Sequence, residues 1–170
     1  PLDPSTTMGP LNNTDVAAKV RAHVEGAIAA GARCLTGGRQ RLDLGSELFF
    51  EPTVLTDVRP DMDVARQETF GPVVPILALD GDLELMAAAQ ESDFGLSMGI
   101  FSADIGVALT MATQLRSGIV NINERNNFWE LHIPFGGGSG TKSGMGRIGG
   151  RHTLEAMTEL ATITLPHLTR

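Results

Sequence analysis

The sequence has a single cysteine, Cys34, a single tryptophan and no tyrosine among its 170 residues. One cysteine excludes an intramolecular disulfide, so nothing in the cysteine usage indicates an oxidising compartment, and we expect the cytoplasm. No apolar run is long enough to cross a bilayer. The opening PLDPSTTMGPL lacks the basic and apolar blocks of a signal peptide. We therefore expect no membrane partner.

Positive charge is also scarce. Thirteen Lys and Arg residues stand against 20 Asp and Glu residues, which gives a formal net charge of −7. A surface with this balance repels phosphate backbones and anionic lipids, so we expect no nucleic-acid partner. Apolar residues make up 42% of the chain and charged residues 19%, which is typical of a globular protein with a sizeable core. No metal site is expected.

Helix-like and strand-like segments alternate along the chain. Apolar residues at a spacing of four predict a helix over 15–30 that Asn13 or Thr14 caps and Gly31 ends. Further helices are predicted at 82–92, 104–118 and 150–160, and strands at 33–38, 48–58, 73–79, 97–102, 119–123 and 161–165. The strand runs are continuously apolar rather than alternating in polarity. This pattern predicts an α/β fold with a largely parallel sheet flanked by helices.

Residues 134–150, PFGGGSGTKSGMGRIGG, contain eight glycines and nearly fit two phosphate-binding motifs. A P-loop needs a glycine directly before its Lys-Ser pair, but Thr141 precedes Lys142, and no strand leads into the stretch. Gly144, Gly146 and Gly149 fit G-x-G-x-x-G, but they too lack the preceding strand of a dinucleotide fold. We favour a turn-rich loop, because glycine tolerates positive φ, and keep a P-loop protein as a minor alternative.

Two segments together carry a family resemblance. QETFGPVVPIL at 67–77 and IPFGGGSGTKSGMGRIGG at 133–150, in this order and at this spacing, resemble the C-terminal part of the NAD(P)-dependent aldehyde dehydrogenases. FFEPTVLTDV, DFGLSMGIFS and LRSGIVNIN agree, so the resemblance covers essentially the whole chain. It implies the C-terminal half of the catalytic domain, an oxidoreductase that converts aldehydes to carboxylic acids, and NAD or NADP as cofactor.

The resemblance assigns two cofactor-binding residues. Glu68 matches the glutamate that accepts hydrogen bonds from the nicotinamide ribose hydroxyls. A carboxylate suits that task because its two oxygens can accept from both hydroxyls. Phe70 matches the aromatic residue that lies against the nicotinamide. The plainer interpretations are a solvated loop carboxylate for Glu68 and a core side chain for Phe70.

Four substrate-binding residues follow from the same resemblance: Phe128, Trp129, His132 and Phe135 match positions that contact the aldehyde. Three aromatics within eight residues favour an apolar or aromatic aldehyde, although packing of a loop explains them equally well. His132 is more simply a structural hydrogen-bonding residue than a catalytic one.

Asn123 and Arg147 also match family positions, with structural hydrogen bonds expected at both. Many family members have an acid directly after that arginine. This chain has Ile148, so a proton-relay role does not transfer.

The resemblance implies that the nucleophilic cysteine, the general base, the oxyanion-stabilising asparagine and the cofactor domain lie upstream of Pro1. Cys34 is a poor substitute, because no basic helix end or paired histidine lies near it in sequence to activate the thiol. A small, buried apolar role fits it better. We therefore expect no catalytic residue in this chain and no turnover by the chain alone.

The last residues suggest an assembly. LATITL has high β-propensity and few charges, so its open edge would seek another strand. In the family the last strand joins a sheet with a neighbouring subunit. We therefore divide the chain into a partial catalytic domain, 1–158, and an oligomerisation strand, 159–170. A non-catalytic oligomerisation or regulatory module with this fold is the main alternative function.

Overall fold

The structure is a computed structural model that describes residues 3–165. The chain divides into two compact units, Pro1–Leu85 and Met86–Arg170. The predicted boundary at residue 159 stays a prediction, and residues 166–170 of the proposed oligomerisation strand lie outside the described part of the chain.

The first unit begins with a helix that follows the predicted spacing. Helix α1 (Thr14–Ala29) starts where the Asn13 side chain accepts a hydrogen bond of 2.9 Å from the Val16 amide, which satisfies one of the unpaired amides at its end. Val20 and Val24 are completely buried. The helix ends before Gly31, which has a φ of 104° that favours glycine.

A small mixed sheet lies in this unit. Its strands are β1 (Arg33–Thr36), β2 (Thr53–Thr56) and β3 (Val73–Pro75), in the order β1-β2-β3. β1 pairs with β2 antiparallel, and β2 pairs with β3 parallel. The predicted parallel pairing therefore holds for β2 with β3 but not for β1 with β2. The segment between β1 and β2 contains a short 3-10 turn but no α-helix, so it is not the helical crossover that parallel pairing usually uses.

Two apolar clusters form the core of the first unit. Val20, Val24 and Phe50 make one cluster, against which Leu11 and Val16 pack. The other contains Ala27, Ala32, Leu55, Val58, Met62 and Val64. The last two residues belong to the segment around a four-residue helix, α2 (Asp63–Arg66), which the sequence pattern missed because one turn is too short to show a period.

The second unit contains a βαβ arrangement. Helix α3 (Gly81–Glu91) crosses the boundary between the two units. It is followed by β4 (Ser97–Ile100), α4 (Ile105–Gln114) and β5 (Ile119–Ile122). β4 and β5 pair in parallel, as predicted. Their side chains are half-buried rather than buried. A final helix, α5 (Arg151–Ala156), follows the glycine-rich segment.

Several predicted elements differ in extent from the structure. The strands predicted at 48–58 and 73–79 are limited to β2 and β3, and the helix predicted at 150–160 is limited to α5. α4 ends at Gln114 rather than Gly118, because Leu115 already has an extended backbone. Residues 161–165, predicted as a strand, lie in neither a helix nor a strand of this chain. Leu160, Ile163 and Leu165 are largely exposed. A strand that forms only against another subunit stays a prediction.

Candidate functional site

The glycine-rich segment is tightly folded. Gly137 and Gly138 are buried, and the Gly138 amide donates a 2.7 Å hydrogen bond to the Gly95 carbonyl. A Cβ added at Gly138 would lie 2.4 Å from the Arg116 carbonyl oxygen. Close approach of backbone to backbone, rather than phosphate binding, therefore accounts for the glycines at these positions.

The P-loop alternative is not supported by the surroundings of Lys142. Its Nζ atom lies 2.6 Å from an Asp93 carboxylate oxygen, and its amide donates to the Asp93 carbonyl. The Ser143 hydroxyl accepts a hydrogen bond from the Gly95 amide. No helix starts after Ser143 until α5 begins at Arg151, so the segment lacks the helix N-terminus that a P-loop uses to bind phosphate.

Two of the four predicted substrate-contacting residues form an aromatic pair. The ring centroids of Trp129 and Phe135 lie 5.2 Å apart with an interplanar angle of 57°, which is a favourable tilted geometry. The Trp129 Nε1–H donates a 2.8 Å hydrogen bond to the Ile133 carbonyl. Phe135 exchanges two backbone hydrogen bonds with Ile148. Hydrogen bonds that involve backbone atoms therefore hold both residues of the pair in place.

Phe128 and His132 are more exposed. Phe128 retains 43% of its accessible surface. The His132 side chain is 77% exposed, with its Nδ1 atom 3.4 Å from the Glu130 carboxylate. All four predicted residues belong to the second unit, whereas Glu68 and Phe70 belong to the first.

Asn123 and Arg147 have the expected structural hydrogen bonds. The Asn123 amide group accepts from the Ser102 amide at 2.9 Å and donates to the Ser102 carbonyl at 3.0 Å, which joins the ends of β4 and β5. Arg147 Nη1 donates to the carbonyls of Gly137 and Gly146, each at 2.7 Å. Arg147 thus links two parts of the glycine-rich segment, at Gly137 and at Gly146.

The predicted cofactor residues lie in a turn before β3. The Glu68 side chain is exposed and makes no hydrogen bond or ion pair within residues 3–165. Phe70 is 73% exposed and has a φ of 54°, a left-handed conformation that costs about 1–3 kcal/mol for a residue other than glycine. A strained, exposed aromatic beside a free carboxylate has the character of a binding site.

This turn is held against α1. His23 Nδ1 lies 3.0 Å from the Thr69 hydroxyl, and Lys19 Nζ lies 5.7 Å from the centre of the Phe70 ring. A Cβ at Gly71 would lie 2.3 Å from a Val20 methyl group, so the chain approaches the helix as closely as glycine permits.

His23 is only 6% exposed. Burial lowers its pKa, as does the positive charge of Lys19, while Asp63 and the Gln67 side chain oppose the shift. Because the pKa of the folded state lies below that of the unfolded state, the unfolded chain takes up the proton first as the pH falls.

We expect this histidine to make the chain less stable in mild acid. The free energy of unfolding should fall as the pH drops through about 6.5, the ordinary pKa of histidine, and level off below the pKa of folded His23. Urea unfolding of the chain between about pH 7.5 and about pH 5 measures the effect. His23→Gln should flatten this profile; an unchanged profile in His23→Gln would contradict the assignment.

A cleft of about 480 Å³ opens beside Phe70. It is lined by Met8, Gly9, Pro10, Leu11, Asn12, Phe50, Phe70, Gly71 and Pro72. Neither residues 8–12 nor His23 are predicted site residues from the sequence. The glycine and proline content of MGPL was the only sequence feature that could have indicated the cleft residues 8–12. A single histidine on a helix gave no indication of His23.

Cys34 lies within β1, half-buried. Its thiol donates a 3.2 Å hydrogen bond to the Thr36 carbonyl, and the side chain packs against the core cluster around Leu55. These contacts agree with the packing role that the sequence predicted for it.

The described residues, 3–165, contain no group of three or more His, Cys, Asp or Glu side chains suited to binding a metal ion. Within the same range, no helix has both the length and the apolar character that a membrane span requires.

Sequence comparison identifies close relatives. A model of the aldehyde dehydrogenase family matches residues 1–163. The vanillin dehydrogenase of Pseudomonas fluorescens is 39% identical over 165 residues, which are 97% of this chain and 33% of that enzyme. The chain thus spans about a third of the length of the curated relatives it matches.

Solved structures agree. The aldehyde dehydrogenase of Mycobacterium tuberculosis, complexed with NAD+, superposes with a TM-score of 0.87 at 31% identity, over 100% of this chain and 34% of that one. A glyceraldehyde-3-phosphate dehydrogenase from Methanocaldococcus jannaschii, complexed with NADP, gives a TM-score of 0.81 at 36% identity, over 92% of this chain and 32% of that one. Related proteins therefore use NAD or NADP.

Proposed function

The chain belongs to the aldehyde dehydrogenase family, and from that membership we propose that it is the C-terminal portion of an NAD(P)-dependent enzyme that oxidises an aldehyde to a carboxylic acid. The observation that carries this proposal is the turn at Glu68 and Phe70, where a carboxylate with no partner among residues 3–165 lies beside a strained, exposed ring. The segments 67–77 and 133–150 support the C-terminal assignment by their resemblance to the family.

The residues of the turn fit one end of a nicotinamide dinucleotide. No residue of the described part of the chain bonds to the Glu68 oxygens, so both can accept hydrogen bonds from adjacent ribose hydroxyls. The exposed Phe70 ring offers an apolar surface for an aromatic group. A bound nicotinamide would supply the acceptor for a hydride from the substrate carbon. In this assignment Glu68 and Phe70 orient the dinucleotide and take no part in proton transfer.

We propose that the second unit contributes part of the aldehyde-binding wall. The Trp129–Phe135 pair supplies a rigid apolar surface, and Phe128 adds a further exposed ring. His132 is exposed at the same segment and can hydrogen-bond a polar substituent. Such a wall suits an apolar or aromatic aldehyde.

The covalent step requires a thiolate that adds to the aldehyde carbon. We propose that Cys34 does not supply it, because its thiol hydrogen-bonds to Thr36 within a strand and packs against the core. The nucleophile, the general base and the remaining cofactor contacts would then come from sequence outside these 170 residues.

A comparison of two polypeptides tests the proposal. The 170-residue chain, mixed with an aldehyde panel and either NAD+ or NADP+, should form no reduced nicotinamide. A longer polypeptide of the same gene that includes the upstream sequence should form it with at least one aldehyde. Turnover by the chain alone that Cys34→Ser abolishes would show that the thiol assignment is wrong.

The same comparison addresses the alternative of a non-catalytic module. If the longer polypeptide binds neither dinucleotide and oxidises none of the aldehydes, the enzymatic proposal fails. In that case the exposed tail, with Leu160 and Ile163 in solvent, would favour an oligomerisation role.

Assembly and location remain proposals. We propose a cytoplasmic homo-oligomer joined through residues 159–170, supported by the exposed apolar side chains at Leu160, Ile163 and Leu165. Light scattering that shows a monomer at high concentration would contradict it.

A further inference from the structure

The turn that carries Glu68 is held from both sides. On the N-terminal side, the Gln67 amide donates to the Asp63 carbonyl at 2.9 Å. The Gln67 side chain also donates to the Asp63 carboxylate at 2.8 Å. On the C-terminal side, the Thr69 hydroxyl lies 3.0 Å from His23 Nδ1. Glu68 lies between these two attachments, and its own side chain is free within the described chain.

The two attachments differ in what they join. Asp63 and Gln67 belong to α2 and the residue that follows it, so the hydrogen bonds between these two residues are local. His23 belongs to α1, 46 residues away in sequence from Thr69. The His23–Thr69 contact therefore ties the turn to the longest helix of the first unit, whose Val20 and Val24 are completely buried.

The chemistry of this contact suits a fixed anchor. The His23 ring is 6% exposed and has its Nδ1 atom against a hydroxyl. A threonine hydroxyl can donate or accept, so the hydrogen bond persists in either neutral tautomer of the imidazole. Threonine is also β-branched, which restricts its side-chain rotamers. The contact therefore fixes the backbone immediately after Glu68.

We propose that His23 and Thr69 are a pair of positioning residues that set the direction of the Glu68 carboxylate and thereby the affinity for the nicotinamide dinucleotide. This inference rests on the proposed function of Glu68. Neither His23 nor Thr69 touches the dinucleotide in this proposal; both act through the turn. Their loss should change dinucleotide binding and leave aldehyde recognition, which we assign to the second unit, unaffected.

Two substitutions at Thr69 separate the hydroxyl from the shape of the side chain. Thr69→Val keeps the branched shape and removes the hydroxyl, whereas Thr69→Ser keeps the hydroxyl. In the longer polypeptide, we expect Thr69→Val to raise the dinucleotide Kd and KM about 3- to 10-fold, in line with the loss of one hydrogen bond. Thr69→Ser should restore at least half of that loss on a logarithmic scale, and the KM for the aldehyde should not change.

A matched control and a double variant complete the test. Thr113→Val removes a threonine hydroxyl from exposed α4, where it donates to the Thr110 carbonyl, and should leave dinucleotide affinity unchanged. His23→Leu combined with Thr69→Val should weaken binding no more than the stronger single variant, because both remove the same contact. Additive losses would overturn the proposal.

A readout independent of turnover is hydrogen exchange of the backbone amides in residues 67–71. Thr69→Val should speed exchange there more than Thr69→Ser does, without changing exchange in α4. Equilibrium binding of NAD+ and NADP+, followed by tryptophan fluorescence, gives the Kd without turnover.

The outcomes separate this inference from the proposed function. If Glu68→Gln weakens dinucleotide binding but Thr69→Val does not, the positioning pair is wrong and the function of Glu68 stands. If Glu68→Gln has no effect on binding, the cofactor assignment fails and the positioning inference fails with it. Weaker binding in both variants, with recovery in Thr69→Ser, supports the pair.

Discussion

Gly118→Ala is expected to destabilise the chain by about 3 kcal/mol or more, through overpacking and lost hydrogen bonds. A Cβ at this position would lie 1.6 Å from the Gly136 carbonyl oxygen and 2.8 Å from its carbon. Both contacts are with backbone atoms, so no side chain can rotate away. Gly118 and Gly138 donate their amides to the same Gly95 carbonyl, at 2.9 and 2.7 Å, and any relief of the clash would break these hydrogen bonds.

Urea unfolding measures the change, since a loss of about 3 kcal/mol is a large fraction of the roughly 5–15 kcal/mol that stabilises a typical domain. The matched control is Gly26→Ala, in the interior of α1, where an added Cβ meets nothing within 4 Å. That substitution should stabilise by about 0.5–1 kcal/mol through helix propensity. If Gly118→Ala unfolds at the same urea concentration as the unsubstituted chain, the close packing of the glycine-rich segment described above is wrong.

Tight backbone packing explains why the glycine-rich segment resembles a phosphate site in sequence without having the structure of one. Local motifs record where glycine occurs but not what its missing side chain makes room for. At Gly118 and Gly138 the neighbour is another stretch of backbone, from a segment distant in sequence. Thr141 and the missing preceding strand were sufficient to disfavour a P-loop, and the structure adds that no helix begins between Ser143 and Arg151 to bind a phosphate.

The sequence predicted best those elements that local signals define. α1 shows a regular apolar spacing and a capping residue, Asn13, and both its ends lie within two residues of the prediction. The β4-α4-β5 arrangement follows in the same way, with Asp104 accepting from the Val107 amide at the start of α4. Apolar spacing and helix capping involve residues within one or two helical turns of each other, so the local sequence is enough to predict these elements.

Pairing between distant segments could not be predicted in this way. β1 pairs antiparallel with β2, which depends on the path of the connection rather than on the apolar run of either strand. The His23–Thr69 contact spans 46 residues, and neither side chain is unusual in its local sequence. The resemblance indicated Glu68 and Phe70, but the helix that holds their turn became visible only in three dimensions.

Glu68→Gln is expected to raise the dinucleotide KM of the longer polypeptide about 10- to 100-fold. A hydrogen bond to a charged group contributes about 1.5–3 kcal/mol, and a factor of ten corresponds to about 1.4 kcal/mol. Glutamine keeps the length of the side chain but offers one neutral oxygen in place of two that share a negative charge. Because Glu68 is exposed and has no partner within residues 3–165, the substitution should leave the free energy of unfolding nearly unchanged.

Steady-state kinetics with NAD+ and NADP+, together with urea unfolding, separate a binding defect from a folding defect. Glu25→Gln on α1 makes the same chemical change at another exposed position and should alter neither quantity. A KM for the aldehyde that rises in parallel with that for the dinucleotide would mean that Glu68 acts on the whole site rather than on the ribose. If kinetics and stability both match the unsubstituted protein, Glu68 is a solvated loop carboxylate. The free oxygens of the turn would then reflect only its exposure, and the strained Phe70 would need another explanation.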